Sequence, residues 1–163
     1  NLFLGIINMT IAYGCVLLMI IFPYFFTVLA KISPLFNNHT PREYLEHTTG
    51  WRKRAHWVQL NSFEITPAFA TGVIIAHQLH ATQSSIDTLA ITFVLTRCLY
   101  AACYLSNKAS FRSIIWLIGF GCIIGLFFIA DFFRIETAID LYAVTFLAHE
   151  ASCADYIFMS RSN

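Results

Sequence analysis

The chain has 163 residues, of which 58% are hydrophobic and 12% are charged, against roughly 25% charged in a soluble domain. Sixteen Phe and a mean hydropathy of +0.65 amount to more apolar surface than the core of one domain hides, which excludes a water-soluble globule and a disordered chain. Ten Lys and Arg against nine Asp and Glu leave a net charge of +1, so no basic field points to nucleic acid and any working charge is local.

Residues 1–30 contain no Asp, Glu, Lys or Arg, a run longer than the roughly 20 residues that cross a bilayer. This predicts a first transmembrane helix over about 3–30, kinked near its end by Pro23. It has no basic segment ahead of the apolar run, so it reads as a span and not as a cleavable leader. Residues 31–50, with Pro34, Pro41 and several charges, form a polar connection. A second span over 51–79 opens with Arg52, Lys53 and Arg54, carries His56, Asn61 and Glu64, and only then turns apolar. The stretch from His80 to Asp87 reads as a turn. A third span over 86–105 is interrupted by Arg97, residues 106–110 make a tight connection, and a fourth span covers 111–130.

After Ala130 the pattern changes. Phe132, Ile135, Ile139, Tyr142 and Phe146 recur at helical spacing among Asp131, Glu136, Asp140, Glu150 and Asp155, which describes an amphipathic helix over 131–163 and not a fifth span. That helix lies on the membrane, prolongs the fourth span, or docks on a partner subunit of a membrane complex. The fold class is therefore an all-α integral membrane protein: a four-transmembrane-helix bundle over 1–130 plus a C-terminal amphipathic helix.

Sidedness follows from the cations, because Lys and Arg flanking short loops stay on the cytoplasmic side. The first connection and its flank hold Lys31, Arg42, Arg52, Lys53 and Arg54, the third holds Lys108 and Arg112, and the second holds only Asp87. The 31–50 and 106–110 connections are thus expected in the cytoplasm, with both termini and the 80–87 turn on the other side.

The five cysteines never occur as CxxC, so neither a disulfide framework nor a zinc site is read from them. His77 and His80 share a helical face and His149, Glu150 and Asp155 are available from the tail. No further ligand is fixed at a chelating spacing, and no metal site is expected.

Charges inside spans are costly and usually face the bundle interior. Glu64 lies thirteen residues from Trp51, and Arg97 lies thirteen residues from Ser110. At about 1.5 Å per residue the two sit at similar depth, where an ion pair between neighbouring helices is geometrically natural. Arg54, Trp57, Asn61 and Glu64 form one stripe of the second helix, Arg97, Tyr100 and Tyr104 a matching stripe of the third, and Arg112 stands at the start of the fourth. Such a layer holds an anionic, hydrophilic ligand, or it simply hydrogen-bonds the helices together.

The segment NSFEITPAF, from Asn61 to Phe69, is similar to the Asn-x-x-Glu-x-x-Pro-x-Phe segment in the second helix of the MAPEG family, the membrane-associated proteins in eicosanoid and glutathione metabolism. Arg97, Tyr104 and the Arg112-Ser113 pair resemble that family's third-helix Arg and Tyr and its fourth-helix Arg-Ser, and the resemblance covers roughly Leu2 to Ala130. It implies a homotrimer with glutathione held between subunits near the cytoplasmic face. Asn61 and Glu64 would contact the tripeptide, Arg97 would pair with Glu64, Tyr104 would hydrogen-bond near the ligand, and Arg112 would stabilise the thiolate; Arg54, Tyr100 and Ser113 complete the candidate binding set. The implied activity is a glutathione-dependent transferase or peroxidase acting on a lipophilic electrophile that arrives from the lipid. The chain departs from the pattern one turn before Asn61, where the family's enzymes usually carry a basic residue and this chain has Trp57, at Leu60 in place of a polar residue, and at Tyr100 in place of a frequent His. Those departures motivate the alternative of a non-catalytic structural or accessory subunit, with residues 131–163 as its docking element.

Overall fold

A computed structural model describes residues 9–34 and 36–161, with the side chains of 136–137, 143–144 and 146–161 left aside. The described residues form five helices: α1 (Ile11–Lys31), α2 (Pro41–His47), α3 (Gly50–Gln78), α4 (Gln83–Leu105) and α5 (Ala109–Arg161). The part of the expected first span before residue 9 lies outside the described residues.

Each boundary has a local cause. The Thr10 hydroxyl caps α1 by accepting from the Tyr13 amide at 3.3 Å, and a carboxylate from α4 reinforces that terminus, because the Ala12 amide donates to Asp87 Oδ1 at 2.9 Å. Pro41 opens α2 at a position where a missing N–H costs nothing. Gly50 turns the chain into α3 at a φ of +63°, a conformation that suits a residue without Cβ. Helices α3 and α4 end alike. In α3 the Ala81 amide reaches Ala76 O and the His80 amide reaches His77 O; in α4 the Lys108 amide reaches Cys103 O and the Asn107 amide reaches Tyr104 O. These are Schellman caps, with His80 (φ 57°) and Asn107 (φ 58°) at the left-handed position where glycine is usual.

Helix α1 packs mainly on α3 and α5 mainly on α4, with α3 also touching α4 and α5. Two apolar clusters fill the interior. One gathers Met19, Phe69, Val73, Phe93, Ile123 and Leu126, with the rings of Phe69 and Phe93 stacked at 4.1 Å. The other, towards the basic connections, gathers Phe26, Leu45, Val58 and Ala101. Pro23 removes an amide from the α1 ladder and frees the carbonyl of Met19. The Thr66 hydroxyl on α3 stands 3.4 Å from that carbonyl and 2.6 Å from Ser62 O. Helices α4 and α5 approach closely at Gly119, where an added Cβ would lie 2.8 Å from Thr96 Oγ1. Thr96 has no freedom to retreat, being buried with its hydroxyl donating to Phe93 O at 2.7 Å. Gly119→Ala is therefore expected to lower stability by about 1–3 kcal/mol through overpacking, read as a lower thermal midpoint in detergent.

The outer surface is apolar: Leu17, Ile21, Phe25 and Val28 on α1 and Phe111, Leu117 and Phe128 on α5 are all exposed, as expected of helices whose solvent is lipid. Among the described residues α1, α4 and the Ala109–Tyr142 part of α5 are long and apolar enough to cross a membrane. Four such helices were expected. Helix α3 has the length, 29 residues, but its cationic start, Asn61 and Glu64 dilute its apolar character, so composition alone supports three crossings. Two further expectations become more specific. The first connection contains α2, whose Leu45 is buried against α3, and of the arrangements open to the segment after Ala130 the backbone takes the one that prolongs the fourth helix. Helix α5 continues unbroken for 53 residues, because no Gly or Pro follows Gly125 before Arg161.

Candidate functional site

The polar side chains of α3 and α4 meet between the two apolar clusters. Arg97 is 2% exposed, and its Nη2 donates to Asn61 Oδ1 at 2.8 Å. The other end of the same amide donates from Nδ2 to Glu64 Oε2 at 3.4 Å. The expected direct ion pair between Glu64 and Arg97 is not formed among the described residues. Asn61 stands between them, because Arg97 lies in the buried α3–α4 seam while Glu64 sits on the exposed side of α3. Arg97 Nε is buried without a hydrogen-bond partner among the described residues, so the guanidinium keeps one donor unspent.

From Arg97 a ladder of rings and cations runs towards the basic end. The Arg97 guanidinium lies over the Tyr100 ring at 4.3 Å, Tyr100 meets Tyr104 edge to face at 5.4 Å, and the Arg112 guanidinium covers Tyr104 at 4.4 Å. These residues come from two elements. Arg97, Tyr100 and Tyr104 share a face of α4 at spacings of three and four, and Arg112 enters from the first turn of α5 across the short 106–108 connection. Each guanidinium is attracted by the electron-rich face of its ring and held in a fixed orientation.

Two candidate residues stand apart from this ladder. Arg54 donates from Nε to Leu105 O at 3.1 Å, tying α3 to the end of α4. The Ser113 hydroxyl donates back to Ala109 O at 3.3 Å within its own helix. Conversely, Trp57 joins the ladder, tilted against Tyr104 at 6.0 Å, with Lys53 Nζ over its own ring at 5.8 Å. The i, i+4 spacing of Lys53 and Trp57 was the available signal for this pair, and a reading focused on hydrogen-bonding groups passes over it.

At the opposite end, His77 is engaged within the bundle: Nε2 pairs with the Thr10 hydroxyl at 3.2 Å and the ring stacks on Tyr13 at 4.5 Å. His149, Glu150 and Asp155, the tail residues considered for a metal, have side chains outside those described.

The chain is thus a helical membrane protein with a layer of fixed cations and aromatic rings at one end of its apolar bundle. The model of the MAPEG family matches residues 6–131, and the chain belongs to that family of membrane proteins in eicosanoid and glutathione metabolism. No curated protein matches the chain, and no solved structure does.

Proposed function

We propose that the protein is a glutathione-dependent transferase or peroxidase acting on a lipophilic electrophile, built as a homotrimer of four-span protomers. The 31–50 and 106–110 connections would lie in the cytoplasm and both termini on the other side. The observation that carries this reading is the Arg112 guanidinium fixed on the Tyr104 ring within the Asn61–Arg97 network. The chemistry requires such a cation. Thiolate is the nucleophile, an unperturbed thiol has a pKa near 8.5, and a preorganised positive charge in a water-poor site favours the charged form.

The donor set suits the tripeptide. Exposed Glu64 offers an acceptor for its ammonium, and Arg97, sealed in the α3–α4 seam, would act on the ligand through the Asn61 amide it holds. Tyr104 would orient Arg112 and place a hydroxyl beside the sulfur. Arg54 and Ser113 would serve from the rim, and Tyr100 would hold Arg97 in place. The electrophile would reach the sulfur laterally along the apolar exterior.

A second reading, a non-catalytic accessory subunit docking through residues 131–163, is favoured by Trp57, whose ring packs on Tyr104 where the family's enzymes carry a cation. One experiment separates the two: calorimetric titration of the purified protein with glutathione, alongside an ultraviolet scan for thiolate. Saturable binding with a thiolate band is expected. Neither signal at millimolar glutathione, with the oligomer intact, would sink the enzyme reading and favour the accessory one.

A further inference from the structure

At the end of the bundle away from the ladder, α5 passes the α3–α4 turn and leaves a groove of about 270 Å3 lined by Gln78, Leu79, His80, Arg134, Ala138 and Leu141. Two basic side chains from separate elements face this one space, and among the described residues no acid lines it. Asp131 and Asp140 on α5 do not line it, and the side chain of Glu136 is outside those described. The remaining walls are mostly apolar, so a ligand here meets a guanidinium, an imidazole and hydrocarbon side by side.

The position is that of a membrane boundary. Helices α3 and α4 turn around here, and Arg134 comes level with the turn only because α5 runs on past Ala130 without a break. His80 is itself held in an uncommon backbone state. It occupies the left-handed position of the α3 cap at φ 57°, where glycine would fit without strain. The cap thus carries an imidazole at the mouth of the groove at some cost to local stability.

From these features we infer that the groove binds the phosphate of an anionic phospholipid, with Arg134 and His80 on the phosphate oxygens and an acyl chain along Leu79, Ala138 and Leu141. The lipid, not a soluble anion, is the occupant that uses both kinds of wall. A guanidinium pairs with phosphate through two parallel N–H groups, and an imidazole N–H adds a third donor.

The test uses the full chain in neutral detergent, supplied with phosphatidylglycerol, phosphatidylcholine or inorganic phosphate. Retained lipid is read by native mass spectrometry and stability by thermal unfolding. Phosphatidylglycerol is expected to be retained in preference to phosphatidylcholine, and Arg134→Gln to weaken that retention about fivefold, the size of one basic side chain near an anionic surface. His80→Gly should keep or raise the thermal midpoint, since glycine suits the left-handed cap, while still losing retained lipid. Equal retention by wild type and both variants, or equal retention of the two lipids, would overturn the assignment. So would a midpoint shift from inorganic phosphate as large as that from the lipid.

Discussion

Asn61→Leu should be among the most damaging single substitutions in this chain. It leaves the Arg97 guanidinium, 2% exposed and bonded to Asn61 at 2.8 Å, without its acceptor, and its Nε already lacks a partner among the described residues. A buried charged group left without its acceptor costs about 3 kcal/mol or more. Arg97→Met should cost less, about 1–3 kcal/mol, since it strands only the neutral amide oxygen of Asn61. The double variant, which removes charge and acceptor together, should recover much of the loss of Asn61→Leu. Thermal unfolding of all four proteins closes the cycle, and strictly additive losses would show that the two side chains are not coupled.

The second large effect is expected in turnover and not in folding. Arg112 is partly exposed and rests on one ring, Tyr104, so Arg112→Ala should leave the thermal midpoint and the proposed trimer unchanged. Turnover with glutathione and a lipophilic electrophile should fall about 100-fold or more, the usual consequence of removing one preorganised charge-stabilising donor. The thiolate band should disappear at saturating glutathione. Arg112→Lys should restore only part of the rate, because an ammonium keeps the charge and loses the planar fit to the tyrosine face. A variant that binds glutathione and still forms thiolate would remove Arg112 from the chemistry.

How much of this is readable before folding depends on which physical signal carries it. The apolar helices announce themselves through long charge-free or charge-poor runs, and the depth of Glu64 and Arg97 follows from helical rise alone. Depth does not specify azimuth. Asn61 and Glu64 lie on one stripe, and only the packing of α3 on α4 decides that Arg97 meets the amide and that the carboxylate stays outside. Likewise the rings of Tyr100 and Tyr104 look like ordinary membrane-boundary aromatics in one dimension, and their pairing with Arg97 and Arg112 requires α5 to fold back beside α4. Helix α2 is hidden for a different reason: seven residues with one buried anchor, Leu45, give no periodicity to detect. The lack of Gly and Pro after Gly125 leaves prolongation of the fourth span open, but the rise in acidic residues suits a separate amphipathic helix equally, and only the folded backbone decides for the continuous α5.

The cap on α1 also orders the assembly of the bundle. The amide of Ala12 is satisfied by a carboxylate 75 positions further along the chain, on a helix that leaves the ribosome two crossings later if α3 is one of them. Until α4 is in place that carboxylate is absent, so the first turn of α1 gains this partner only after the middle of the protein has been made. The earliest described helix is consequently among the last elements to be sealed, and Asp87 acts as the latch that closes behind it.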